Sequence, residues 1–175
     1  QAVQNPQSLS LAAGLVDQGS LPVHLVREAS RRLLEDPDLG RQSLQYGTTL
    51  GTDRLRTLLL TYFARQEDRP ASSLGVDAEQ LVATTGSQQL LSVIAEILLN
   101  PGDLVLVSSP TYFAYLGTLE GVGATLVPVP SDEHGMRVDQ AAQILEQLSQ
   151  SGELARLKLV YIVSDFENPS GLSLS

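Results

Sequence analysis

Cysteine is absent from the 175 residues, which excludes disulfides, thiolate metal sites and a cysteine nucleophile. Histidine is nearly absent. His24 and His134 stand far apart with no ligand-spaced neighbours, so the sequence offers no metal centre. Positive charge is scarce, with 11 Lys and Arg against 20 Asp and Glu and a net charge of −9. Such a chain lacks the clustered cations that neutralise phosphates, so nucleic acid is not an expected partner. No apolar run approaches the roughly 18 residues of a membrane span, so neither is a membrane. The opening QAVQNPQSLSLAAGL has no Met and no basic n-region, and reads neither as a native start nor as a signal peptide. The lack of cysteine and of an export signal fits a cytoplasmic protein.

What is present is enough for a core. The hydrophobic fraction is 42%, and Gly and Pro are not in excess, which argues against disorder. The pattern predicts a helix from about His24 to Glu35 closed by EDPDLG. A second helix, from about Thr52 to Gln66, places Leu55, Leu58, Leu59, Tyr62 and Phe63 on one face. From there β-rich runs alternate with helices: EQLVATT, the helix SQQLLSVIAEILL stopped by Asn100-Pro101-Gly102, then DLVLVSS and a helix beginning near Tyr112. GATLVPVP, the helix VDQAAQILEQLSQ and LKLVYIV complete the series. Short continuous apolar strands between helices predict an α/β fold, a mostly parallel sheet with helices on both faces.

In open sheets of this class, ligands bind beyond the carboxyl ends of the strands. Three such ends carry three kinds of group. Gly86-Ser87-Gln88 follows EQLVATT and opens a helix, where free N–H groups, a hydroxyl and the positive dipole end suit a phosphate. Ser87 could equally cap its helix. Pro110-Thr111-Tyr112 follows DLVLVSS, and Tyr112 suits either stacking on a planar ring or packing on a helix. Asn168-Pro169-Ser170-Gly171 follows LKLVYIV. Asn168 is either a turn residue or an amide ligand. Together the three describe a pocket for a phosphorylated aromatic ring bearing an oxygen.

The stretches SLAAGLVDQGSLP, YGTTLGTDRLRTLL, ATTGSQQLL, NPGDLVLVSSPTYF and NPSG resemble, in order and spacing, the fold-type I pyridoxal-phosphate enzymes, in particular the class I/II aminotransferases. The resemblance covers nearly the whole chain and implies the front part of that family's three-layer large domain. Residues 1–45 would form an amino-terminal arm and first helix, and residues 46–175 a partial cofactor-binding domain. It implies pyridoxal 5′-phosphate as cofactor and amino acid and 2-oxo acid as substrates, with a homodimer as the working unit. The backbone of Gly86, Ser87 and Gln88 would hold the cofactor phosphate, Tyr112 would stack on the pyridine ring, and Asn168 would bond its phenolic oxygen. Tyr46 matches a tyrosine that reaches the neighbouring subunit's cofactor, and Gly14 matches a backbone contact to the substrate carboxylate.

The departures are also informative. Relatives commonly carry a neutral residue before the Asn, where this chain has Glu167, preceded by Asp165. These read as solvated loop carboxylates, or as groups that tune the pocket. The family's Schiff-base lysine lies well beyond the Asn-Pro motif. The single lysine here, Lys158, sits ahead of that motif and reads as a strand-edge charge. The chain is therefore expected to stop before the Schiff-base lysine, to hold no catalytic residue of its own, and to be inactive alone. Alternatives are a pyridoxal-phosphate-sensing effector domain of a bacterial transcription regulator, a β-lyase or decarboxylase of the same fold, and a short pseudo-enzyme.

Overall fold

Asp36 and Pro37 show how local chemistry sets the first elements. A computed structural model of the chain describes residues 16–175, which divide into two compact units, one through Ala83 and one from Thr84. In the first unit, helix α1 (Val23–Glu35) stops at Asp36, whose carboxylate accepts from the N–H groups of Asp38 and Leu39 at 2.9 and 3.0 Å. EDPDLG therefore starts a second helix, α2 (Pro37–Ser43), as well as ending the first. Asp at the N-cap followed by Pro at the first helical position is a start signal that a reading of Asp-Pro as a stop overlooks.

Helix α3 (Asp53–Gln66) begins where predicted, with the Thr52 hydroxyl accepting from Leu55 N–H at 3.3 Å. Its buried Arg56 pairs with Asp53 and donates to the Ala78 carbonyl at 2.7 Å, holding a short turn at Ala78–Gln80. That turn and residues 81–85, which form no regular element, correct the expectation of a strand at EQLVATT. A β-rich run becomes a strand only when a neighbour takes its ladder groups. Among the described residues none does, although Ala83 N–H donates to the Leu50 carbonyl at 2.9 Å.

The second unit carries the sheet. Helix α4 (Gly86–Leu98) leads to β1 (Leu104–Ser109), α5 (Phe113–Gly121) and β2 (Thr125–Asp132). A short β3 (Gly135–Met136), α6 (Val138–Gln150) and β4 (Leu157–Tyr161) follow. The strand order is β3-β2-β1-β4, with β1 parallel to both β2 and β4, and β3 antiparallel to β2. The sheet is thus mixed and mostly parallel, as expected.

Alternation along β1 builds the three layers, since successive side chains of a strand point to opposite faces. Val105 and Val107 pack with Ala95 of α4 and Tyr115 and Leu119 of α5. Leu106 packs on the other face with Val129 and Met136, covered by Ala141, Ile144 and Leu148 of α6. Helices therefore lie on both faces. The chain leaves β1 through α5 to β2 on one side and returns through α6 to β4 on the other. The carboxyl ends of β1 and β4 form the switch point where ligands bind in sheets of this kind.

Candidate functional site

A cleft of about 460 Å³ opens at that switch point, lined among others by Ser87, Tyr112, Tyr161 and Asn168. Its size falls in the range of small-molecule sites. Three of the residues singled out in the sequence, Ser87, Tyr112 and Asn168, thus meet at one cavity within one unit.

Ser87 stands at the start of α4, which no side chain caps: Thr85 precedes the helix without bonding its N–H groups. The reading of Ser87 as a cap is thereby set aside. Gly86, the first residue of the helix, has φ +77°, and a Cβ built there would meet no other heavy atom within 4 Å. Glycine adopts this left-handed backbone at no steric cost. Its own N–H donates to the Thr84 carbonyl at 2.9 Å, while the N–H groups of Ser87 and Gln88, in the first turn of α4, have no intrahelical partner. The Gln88 side chain turns away along α5, donating to Thr118 Oγ1 at 3.5 Å, so Gln88 offers the site its backbone only.

Tyr112 precedes α5 and packs partly against the core beside Leu116 and Tyr161, while also lining the cleft. The packing reading of it is thus seen, and its place at the cleft leaves the stacking reading as a proposal. Tyr161, at the end of β4, was not singled out in the sequence, although its place at a strand's carboxyl end is the signal that would have found it. Burial pushes its phenol above the ordinary range, helped by Tyr115, Tyr112 and Glu167 nearby.

Asn168 belongs to the turn after β4 and borders the cleft. The residue before it corrects one expectation. Asp165 is exposed, but Glu167 is only 3% exposed, and Ser108 Oγ donates to its carboxylate at 2.5 Å. It is an anchored buried group, not a solvated loop carboxylate.

The remaining sequence candidates lie elsewhere. Tyr46 belongs to the first unit and is 99% exposed. Gly14 lies outside the described residues. Lys158 is exposed on the edge strand β4, with Nζ donating to the Ala155 carbonyl at 2.7 Å, and does not line the cleft. Among the described residues no cluster of His, Cys, Asp and Glu could hold a metal ion, and no helix is long and apolar enough to cross a membrane.

The donor set fits a phosphorylated pyridine. Free amide N–H groups at a helix start suit a phosphate dianion. An aromatic ring suits a planar heterocycle, and a primary amide can donate to a ring oxygen.

Comparison with known proteins gives one consistent result. Residues 6–175 match the family Aminotransferase class I and II. The chain is 34% identical over 173 residues to aromatic-amino-acid aminotransferase 1 of Thermococcus litoralis, covering 99% of this chain and 39% of that protein. Among solved structures, the multiple substrate aminotransferase of Thermococcus profundus aligns with a TM-score of 0.85 at 35% identity, over 99% of this chain and 41% of that one. A kynurenine aminotransferase of Pyrococcus horikoshii, solved in complex with PMP, aligns with a TM-score of 0.81 at 32% identity, over 94% of this chain and 38% of that one. The chain therefore spans about two fifths of the length of these relatives.

Proposed function

The chain belongs to the class I and II aminotransferases, and from that premise we propose that the protein moves an amino group between an amino acid and a 2-oxo acid with pyridoxal 5′-phosphate. The observation that carries the proposal is the meeting of Ser87, Tyr112 and Asn168 at one cleft beyond the strand ends. The relatives reported above are all named aminotransferases, which favours this reading over an effector domain of a transcription regulator.

Each residue of the cleft has a role in this reading. When bound, the cofactor supplies an electron sink for bonds breaking at the substrate's α-carbon. The N–H groups of Ser87 and Gln88, with the Ser87 hydroxyl, would hold the phosphate, and the backbone of Gly86 would shape the turn that presents them, its own N–H being bonded to the Thr84 carbonyl. The Tyr112 ring covers one face of the heterocycle. Asn168 donates from its side-chain amide to the phenolic oxygen and fixes the ring's rotation. These groups bind and orient; none of them carries a proton to or from the substrate. Lys158 stands outside the cleft, so the 175 residues by themselves are proposed to be inactive. The amine that acts as acid and base would come from the full-length protein. Gly14 would contact the substrate carboxylate, and the fully exposed Tyr46 would reach the site of a second subunit in a cytoplasmic homodimer.

The test uses the full-length protein stripped of cofactor. Titration with pyridoxal 5′-phosphate is expected to saturate and to restore exchange between amino acids and 2-oxo acids. Saturable binding without exchange across a panel of amino acids would return the effector reading. Absence of binding would overturn the cofactor assignment.

A further inference from the structure

Glu167 is a buried carboxyl group to which the proposed chemistry gives no task, and the turn holding Asn168 converges on it. Its N–H donates to the Leu172 carbonyl at 2.8 Å. Its carbonyl accepts from Gly171 N–H at 2.5 Å and from Ser170 Oγ at 3.4 Å. Its carboxylate accepts from Ser108 Oγ at 2.5 Å, across 59 positions of sequence. Ser108 is itself buried in β1 and shares its parity with Leu106, so it belongs to the α6 side of the sheet. Glu167 thus fastens the turn to the sheet on one side, while the next residue, Asn168, borders the cleft.

The residue before it shows that the turn is constrained. Phe166 has φ +50° and is 82% exposed, with its N–H donating to Ser173 Oγ at 3.1 Å. A bulky side chain in the left-handed region persists only where its surroundings hold it. Its own packing does not, since the ring is in solvent. The bonds of Glu167 and Ser173 do. A buried carboxyl group is costly unless hydrogen-bonded, and a hydrogen bond, unlike an apolar contact, fixes direction as well as distance.

We propose that Glu167 is a positioning residue: its bond to Ser108 ties the Asn168 turn to the end of β1 and so sets where the Asn168 amide stands in the cleft. This rests on the proposed contact of Asn168 with the cofactor's phenolic oxygen, and the experiment separates the two. The full-length protein and its variants N168A, S108A, E167A and E167Q are loaded with pyridoxal 5′-phosphate. Three quantities are read: the cofactor's Kd, the pH midpoint of its visible absorption band, and the melting temperature.

Loss of an amide donor to an anionic ring oxygen raises the midpoint, so N168A is expected to raise it. S108A and E167A are expected to raise it in the same direction and to weaken cofactor binding about tenfold. E167Q keeps an acceptor for Ser108 and is expected to stay within about threefold of the parent protein. If N168A moves nothing, the cofactor role of Asn168 fails and this inference falls with it. If N168A shifts the midpoint while S108A and E167A lower only the melting temperature, Glu167 is structural and the inference is overturned alone. If E167Q and E167A shift the midpoint together and S108A does not, Glu167 acts through charge, and positioning is likewise overturned. Should E167A fail to fold, S108A, which removes one oxygen, decides the matter.

Discussion

Tyr115 of α5 and Tyr161 of β4 meet edge to face, with ring centroids 4.5 Å apart and planes at 62°. The pair stands where the helix layer meets the strand that leads into the Asn168 turn, and Tyr161 lines the cleft that Tyr115 supports from beneath. The Tyr115 hydroxyl is buried without a hydrogen-bond partner.

That hydroxyl gives an asymmetric expectation for two variants. Y115F removes an unpaired buried polar group and keeps the ring contact, so stability should be unchanged or raised by up to about 1 kcal/mol. Y115A empties the site and should cost about 3–5 kcal/mol. Thermal unfolding of the full-length protein and both variants checks the pair, and a loss in Y115F as large as in Y115A would show that the hydroxyl is paired.

The same two phenols make stability fall in alkali. Burial raises the pKa of Tyr115, and burial together with the charges of neighbouring groups raises that of Tyr161, both from an ordinary value of 10.0. The folded state therefore keeps these protons more tightly than the unfolded chain. The contribution is fully present below about pH 10 and is lost as pH rises through the folded values. Urea unfolding between pH 8 and 11 should show a falling free energy, with a shallower fall in Y115F.

Asp139 has the opposite sign. The adjacent Arg137 guanidinium, bonded to it at 2.5 Å, holds its carboxyl at about 2, down from 3.8. A depressed carboxyl stabilises the fold above the unfolded value and loses that contribution as pH falls through about 2. D139N should therefore be less stable than the parent at pH 7, and the gap should close on acidification toward pH 2. The pair is exposed, so the gap should also shrink as salt is added. A gap that does not change with pH would assign the effect to Asp139's place in the first turn of α6 instead.

How much of this was legible in sequence depended on whether the signal was local. The helices α1, α3 and α6 and the run of β1 follow from spacing and caps. Tyr112 and Asn168 follow from the rule about strand ends, whereas Ser87 follows from its place at a helix start, the run before it being no strand. EQLVATT has the composition of a strand but no partner among the described residues, and pairing is not a local property. Glu167 was misread for the same reason. Its neighbours Asp165 and Phe166 are exposed, and the group that makes it buried, Ser108, lies 59 positions away.

Gly86 separates a backbone cradle from a side-chain one. With φ +77°, an alanine there would sit in the left-handed region, at a cost of about 1–2 kcal/mol, even though space for the methyl group is open. The backbone can escape that cost only by changing φ at residue 86, which swings the start of α4 relative to the turn before it and displaces the proposed phosphate donors at Ser87 and Gln88. G86A should thus weaken pyridoxal 5′-phosphate binding by tenfold or more, while S87A, which loses one hydroxyl and no backbone donor, should weaken it by only about fivefold. Absorbance titration of the full-length protein and both variants measures this directly. If S87A proves the more damaging, the serine hydroxyl and not the turn at Gly86 holds the phosphate, and the uncapped start of α4 would need another explanation.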